Sequence, residues 1–285
     1  MTTYPEDLRL LVEDYLERLR FTDDPAVTGL EEAMRYSLLA GGKRVRPVLA
    51  LATARAVGRS ERELLPLAAA IEMIHTYSLI HDDLPAMDDD DMRRGRPTSH
   101  KVFGEDVAIL AGDGLYAEAF RHVLAAQEGE AEGKFAALVE LAAATGVNGM
   151  VGGQYADVRG DESVELRRVH ELKTGRLIAA SIECVLLLQG DPGPDWRAFS
   201  RELGVLFQIV DDILDVVGDD ADLGKTHGSD ARLGKRTYVS LYGLDEARAL
   251  AARSHDSARE ALARAAGDRA ADLERITDFV YTRSS

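Results

Sequence analysis

The sequence predicts an all-α protein, and three observations carry that prediction. Apolar residues recur at the spacing of amphipathic helices. Strict alternation of apolar and polar residues over five or more positions, the mark of a half-buried strand, is hard to find. Long stretches such as KFAALVELAAATG and RRVHELKTGRLIAASIECVLLL are rich in alanine and leucine, which have high helix propensity.

Taken in chain order, Leu8, Leu11, Val12, Tyr15, Leu16 and Leu19 form the first apolar stripe. The same spacing returns at Ile71, Ile74, His75, Ser78, Leu79 and Asp82, and again at Leu203, Leu206, Phe207, Val210, Ile213, Leu214 and Val217. Both later helices carry acidic residues near one end. Breaks are expected where glycine and proline gather: TDDPAVTG, AVGRSERE, AQEGEAEGK, QGDPGPDW and GDDADLGKTHGSD. None is long enough for a domain linker, and no repeat of solenoid length is evident. The expectation is one domain over residues 1–285, with roughly ten or more helices given a mean helix of about eleven or twelve residues.

The 285 residues are 46% hydrophobic, ample for a sizeable core. Lysine plus arginine total 34 against 50 acidic residues, a formal net charge of -16. That balance argues against nucleic acid or an anionic membrane as a broad partner, so an anionic ligand needs a local basic pocket or metal ions. Cys184 is the only cysteine, which excludes an intramolecular disulfide and fits a reducing cytosol. The N-terminus lacks a charged-then-apolar signal pattern, and no apolar run approaches the roughly eighteen residues of a membrane span. A soluble, cytoplasmic protein is expected.

Two acidic clusters stand out. In FQIVDDILDVVGDD, the pattern Asp211, Asp212, Asp215 lies on a helix. At about 100° per residue, Asp211 and Asp215 project within about 40° of each other with Gln208 beside them. In HDDLPAMDDDDMRRGRPT, from His81 to Thr98, the pair Asp82 and Asp83 is separated from Asp88 by four intervening residues. An ideal helix would set Asp82 and Asp88 about 240° apart. Pro85 resolves this: it cannot donate to the helix ladder and disfavours helical geometry at Leu84, so the helix ends or bulges and Asp88 folds back towards Asp82. Carboxylates this close repel by several kcal/mol, and a hard divalent cation such as Mg²⁺, held by one or two carboxylates plus phosphate, is the natural counterion. Either cluster alone is as well read as a solvated acidic loop; two at the ends of apolar helices favour metal.

The cations follow the same logic. Arg93, Arg94 and Arg96 succeed the first cluster, and Lys43, Arg44 and Arg46 follow paired glycines in LAGGKRVRPVLA. Glycine frees backbone amides and the guanidinium fork matches phosphate oxygens, which suggests a diphosphate pocket. GDDADLGKT imitates a P-loop with Gly218, Gly224, Lys225 and Thr226, but five residues separate its glycines, it follows a helix, and three aspartates occupy the phosphate approach. Lys173, Thr174 and Gly175 form a second Lys-Thr-Gly in a helical segment. The sequence has no G-x-S-x-G, no H-E-x-x-H and no dinucleotide fingerprint, and a zinc or thiol centre is not expected.

The run EMIHTYSLIHDDLPAMDDDDMRRGRPTSHKVFGEDVAILAGDGL, with GGKRVRP before it and FQIVDDILDVVGD after it, resembles the trans-isoprenyl diphosphate synthases, the bacterial farnesyl diphosphate synthases most closely. The likeness spans about Leu30 to Leu244. It implies an all-helical bundle around a deep central cavity, a homodimer, and two aspartate motifs facing each other across the cavity mouth. Three Mg²⁺ ions, with Mn²⁺ as a substitute, would bridge them to an allylic diphosphate. By motif, Asp82, Asp88 and Asp211 are the main metal ligands and Asp83, Asp212 and Asp215 support them. Arg93, Lys173, Thr174, Gln208, Lys225 and Lys235 would hold the allylic diphosphate, dimethylallyl or geranyl. Gly42, Lys43, Arg46, His75 and Arg94 would hold isopentenyl diphosphate.

The implied reaction is ionisation of the allylic diphosphate, attack by isopentenyl diphosphate and loss of a proton, with Lys173 and Thr174 stabilising the cation. His75 lies seven residues before Asp82, two helical turns along one face; alone, it would read as a packed core histidine. Tyr77 and Ser78 lie about 6 to 8 Å along the helix from Asp82, where a growing chain would meet them. A tyrosine floor implies a C15 product, with C20 as the alternative because HKVFGEDVAILAGD resembles geranylgeranyl-forming relatives. A class I terpene cyclase would lack GGKRVRP and the Arg93-Arg94 pair, and a non-catalytic partner subunit would have lost one motif. Arg283 is present in ITDFVYTRSS without a dense basic tail, so closure of the site by that end is not expected.

Overall fold

A computed structural model describes residues 4–161, 163–217 and 235–283. Among these, fourteen α-helices and one two-stranded hairpin account for the regular structure, as the all-α expectation requires. The first stretch forms α1 (Glu6–Arg18), α2 (Thr28–Leu38) and α3 (Val45–Ala56). Leu8, Val12 and Leu16 of α1 are buried as their spacing predicts, while Leu19 falls one residue past the helix end in extended backbone.

The central helix α4 (Leu65–Asp82) starts on Pro66 near its first turn and has no side-chain cap. Packing holds it instead. Leu67, Ile71, Met73 and Ile74 are fully buried, each contributing about 2 kcal/mol against the roughly 1 kcal/mol of a good cap. After α4 the chain turns and forms the hairpin Met92–Arg93 (β1) with Arg96–Pro97 (β2). Arg94 and Gly95 both take positive φ, 52° and 72°, the geometry that matches the twist of a two-residue hairpin turn. Tyr36 of α2 donates to the Pro97 carbonyl at 2.8 Å and lies under the Arg96 guanidinium at 4.2 Å, docking the hairpin on α2.

The chain continues through α5 (Ser99–Phe103), α6 (Glu105–Ala126), α7 (Ala131–Thr145), α8 (Met150–Arg159), α9 (Leu166–His170), α10 (Arg176–Leu187) and α11 (Pro194–Val217). After residue 234 come α12 (Tyr238–Tyr242), α13 (Leu244–Ala266) and α14 (Ala271–Thr282). The expected break in AQEGEAEGK is shorter than predicted, because Ala131 to Lys134 already belong to α7. Gly133 is helical there for a packing reason: a Cβ would stand 2.9 Å from the Leu188 carbonyl oxygen. Helix α10 touches α3, α4 and α11, α4 packs along α6, and α11 packs along α13. The two acidic motifs therefore end two core helices that α10 joins.

Two stretches are long and apolar enough to cross a membrane, Glu61–Asp82 and Ala131–Arg159, where the sequence reading expected none. In the first, 78% of the apolar window is buried inside the protein, so its hydrophobicity is that of a core helix.

Candidate active site

The first acidic motif is built by the turn that ends α4. The Asp88 N–H donates to the Asp82 carbonyl at 2.9 Å, and the N–H groups of Met87 and Asp89 donate to the Leu84 carbonyl at 2.9 and 3.1 Å. The chain thus folds back at Pro85 and brings Asp88 beside Asp82. Asp82 Oδ1 accepts from Gln154 Nε2 of α8 at 2.8 Å. Lys235 Nζ donates to both Asp88 carboxylate oxygens at 2.9 Å. Arg93 Nε donates to Asp83 Oδ1 at 2.6 Å and its Nη2 reaches Asp90 at 3.4 Å.

Burial pushes the Asp82 carboxyl up from the ordinary aspartate range, with Lys173 opposing and Asp88 adding to the rise. Burial also pushes Asp83 up to about 7 against the pull of Arg93. These carboxylates lack enough water to carry their charge easily, so added positive charge is favourable here.

Lys173 and Thr174 lie in a π-helical turn, Glu171–Gly175, between α9 and α10; such turns often mark functional sites. Two close approaches wedge it in place. A Cβ on Gly153 of α8 would stand 2.2 Å from the Lys173 nitrogen, and one on Gly204 of α11 would stand 2.8 Å from the Gly175 Cα. Lys173 Nζ donates to Asp157 Oδ2 at 2.6 Å. Burial would lower its pKa, but Asp157 and Asp82 outweigh that and raise it, keeping the ammonium charged. Thr174 Oγ1 donates to Gln208 Oε1 at 2.7 Å.

The second motif divides its aspartates by helix face. Asp212 is 1% exposed and accepts from Gln208 Nε2 and from the Tyr238 N–H, each at 2.7 Å. Asp215 is buried too, whereas Asp211 faces outward and pairs with Arg283 Nη2 at 2.9 Å. The Arg283 guanidinium also covers Phe207 at 4.5 Å. The end of α14 therefore reaches the second motif through one arginine positioned on an aromatic ring, without a dense basic tail.

A third group gathers around the glycine pair before α3. Arg94 Nη1 donates to the Gly41 carbonyl at 2.6 Å, and a Cβ on Gly42 would stand 3.2 Å from the Arg94 guanidinium carbon. Arg46 Nη1 lies 3.2 Å from His75 Nε2, and Lys43 Nζ lies 5.7 Å above the Phe279 ring. Burial lowers the Arg46 pKa to about 10, and burial with the nearby guanidiniums drives His75 well below the ordinary histidine value, leaving it neutral. Arg44 departs from its neighbours. It is buried in a left-handed conformation, donating to Glu13 at 2.9 Å, Glu72 at 2.6 Å and the Leu38 carbonyl at 2.7 Å. Its charge is spent inside the protein, so of the three basic residues in GGKRVR only Lys43 and Arg46 face this group.

Tyr77 is buried one turn before Asp82, edge-on to Tyr116 of α6 at 5.0 Å, and Tyr116 meets Phe120 at 5.2 Å. Ser78 Oγ donates to the His75 carbonyl at 2.8 Å. A small, open pocket lies between α2, α4 and the hairpin, lined by Tyr36, Thr76, Leu79, Asp83, Arg93 and Arg94. It lies against the Thr76–Asp83 face of α4, about 100° around the helix from the face bearing His75, Ser78 and Asp82.

Among the described residues, no three of Asp82, Asp83, Asp88, Asp211, Asp212 and Asp215 bring ligand atoms within 4.8 Å of one another; Asp89, Asp91 and His100 do. Lys225 lies outside the described residues. Sequence reasoning missed Gln154, Asp157, Tyr116 and Arg283 as site residues. The paired glycines of VGGQYAD were the available signal for the first two, since a helix with Gly152 and Gly153 invites close approach by another backbone.

Comparison with known proteins places this geometry. Residues 27–280 match the family model described as polyprenyl synthetase. The chain is 44% identical to the farnesyl diphosphate synthase of Bacillus subtilis, covering 87% of this chain and 86% of that one. It is 43% identical to the chloroplastic geranylgeranyl pyrophosphate synthase of Capsicum annuum, covering 99% and 78%. A geranyltransferase from Helicobacter pylori, whose crystal structure is complexed with magnesium and isoprenyl diphosphate, superposes with a TM-score of 0.87 at 31% identity, covering 97% of this chain and 96% of that one.

Proposed function

From the premise that the chain belongs to the polyprenyl synthetase family and is a prenyltransferase, we propose that it condenses isopentenyl diphosphate with dimethylallyl and geranyl diphosphates, head to tail, to a C15 product. The observation that carries this reading is the pairing within the site. Lys235 on Asp88 and Arg93 on Asp83 match carboxylates suited to a metal with cations suited to a diphosphate. A metal diphosphate supplies both partners at once, so each side chain exchanges one charged contact for another rather than losing one.

Asp82, Asp88 and Asp211 would hold Mg²⁺; their donors are all hard oxygens, and the burial that raises Asp82 is relieved by a cation. Bound magnesium would supply positive charge to the departing diphosphate oxygens. Arg93, Lys173 and Lys235 grip the same diphosphate, which favours breaking the allylic C–O bond by stabilising the leaving group. Arg46, Arg94, Lys43 and neutral His75 hold the isopentenyl diphosphate so that its double bond attacks the allylic carbon. The new C–C bond leaves a tertiary cation, which loses a proton to the released diphosphate. Lys173, fixed by Asp157, remains a cation throughout and orients the diphosphate.

Product length follows from the Tyr77 ring, backed by Tyr116 and Phe120, as a floor beneath Asp82. The C20 reading keeps its footing because geranylgeranyl-forming and farnesyl-forming relatives are equally similar. A second copy of the chain is the partner suggested by Phe135 and Val147, 70% and 80% exposed, and by Val139, Val151 and Tyr155 beside them on α7 and α8.

The deciding experiment supplies Mg²⁺, isopentenyl diphosphate and, separately, C5, C10 or C15 allylic diphosphates, and measures product length. C15 should accumulate from the first two primers, and Tyr77→Ala should shift products to C20 or longer. Failure to extend any primer rejects the synthase reading; an unchanged distribution in the variant removes Tyr77 as the floor.

A further inference from the structure

The acidic run from Asp88 to Asp91 is longer than the diphosphate site uses. Asp89 and Asp91 lie between the end of α4 and the hairpin, and His100 lies in the first turn of α5, on the far side of that hairpin. One carboxylate oxygen from each aspartate and one ring nitrogen of His100 come within 4.8 Å of one another.

The hydrogen bonds around His100 fix its tautomer. Thr98 Oγ1 donates its proton to the Asp90 carbonyl at 2.8 Å. Its 3.2 Å contact with His100 Nδ1 must therefore run from the ring N–H to the hydroxyl oxygen. That leaves the lone pair on Nε2. His100 is only 7% exposed, and Nε2 is buried with no hydrogen-bond partner. A buried acceptor left so is destabilising, and an ionised carboxylate has no proton to offer it. A metal cation bound through Nε2 would satisfy this nitrogen and both carboxylates together.

We propose that Asp89, Asp91 and His100 form a second divalent-cation site, apart from the aspartates assigned to the diphosphate. An imidazole with two carboxylates favours a first-row transition ion such as Zn²⁺, Co²⁺ or Mn²⁺ over Mg²⁺, which prefers all-oxygen surroundings and retained water. Thr98 holds the ring from its other nitrogen, the support that metal-bound histidines generally have. Lys101 Nζ, 2.8 Å from Asp91 Oδ1, is the resident competitor, but both side chains are solvent-exposed and water screens such a pair to a weak one. The ion would tie the two ends of the 89–100 segment together and so fix the hairpin that carries Arg93 and Arg94.

The test is metal-stripped full-length protein kept in excess Mg²⁺ and titrated with Zn²⁺ alone, with bound ions counted and located by anomalous diffraction at the zinc edge. One ion per chain should appear at His100, about 2.0–2.1 Å from a ring nitrogen. The double variant Asp89→Asn, Asp91→Asn, made at exposed positions so that the fold survives, should bind one ion fewer, while Asp82→Asn should keep it. An unchanged count in the double variant, loss of that ion in Asp82→Asn, or no anomalous peak at His100 overturns the site. None of these readings depends on turnover.

Discussion

The two acidic motifs each begin with adjacent aspartates, one more buried than the other, yet the buried members are held in different ways. Asp83 is held by a guanidinium, that of Arg93, which we propose grips the diphosphate. Among the described residues, Asp212 accepts from two donors of the scaffold, the Gln208 amide and the Tyr238 backbone N–H. An ion pair can be exchanged by a ligand that brings its own charges; a backbone hydrogen bond from the scaffold cannot. The first motif is therefore built to reorganise when ligand arrives, and the second is anchored so that only Asp211 is presented.

The largest effect expected from that contrast falls on the presented residues. Asp82→Ala and Asp211→Ala should each lower kcat/KM by orders of magnitude at saturating Mg²⁺, with the circular dichroism spectrum retained. A loss below tenfold in either, about 1.4 kcal/mol, would contradict a primary role in holding metal. Asp212→Ala should act on stability first. It removes the acceptor for one buried and one part-buried donor, which costs about 2–4 kcal/mol and lowers Tm by roughly 5–10 °C. If Tm stays put, the anchoring role is wrong and the two motifs are more alike than their contacts suggest.

Asp83 sharpens the same contrast through pH. Its folded pKa is raised to about 7 from an ordinary value of 3.8, so between those limits the unfolded chain has released a proton that the folded chain keeps. The stabilisation from Asp83 is complete below 3.8 and is lost as pH rises through about 7. In metal-free buffer, the Tm advantage of the native protein over Asp83→Asn should shrink from pH 5 to pH 7. A constant difference would mean that Arg93 keeps Asp83 ionised throughout.

Helix positions and the reversal at Pro85 were legible in the sequence because both rest on local rules, apolar spacing and the missing proline N–H. The partners were not. Gln154 is 72 residues from Asp82, and Lys235 is 147 from Asp88; only packing of α8 and of the segment before α12 brings them in. Arg44 failed for the same reason, since a basic residue beside two others reads as a surface grip until Glu72 is found buried behind it. The resemblance assigned Asp212 a supporting metal role, while its contacts with Gln208 and Tyr238 suit an anchor, a distinction that depends on an element 26 residues further along.

Arg283 offers the finest test, because it pairs with the one presented aspartate of the second motif. Its bond to Asp211 is partly solvent-exposed and contributes no more than about 1 kcal/mol. Metal bound at Asp211 would displace it, which would make Arg283 a weak competitor for the carboxylate. Arg283→Ala should therefore lower the Mg²⁺ concentration for half-maximal activity by up to about fivefold, the ratio that 1 kcal/mol represents, with Tm almost unchanged. A higher Mg²⁺ requirement would show instead that Arg283 moves with the ligand and holds diphosphate beside Arg46, whose guanidinium shares the Phe207 ring with it. The second motif would then be exchangeable at its edge, as the first is at Asp83.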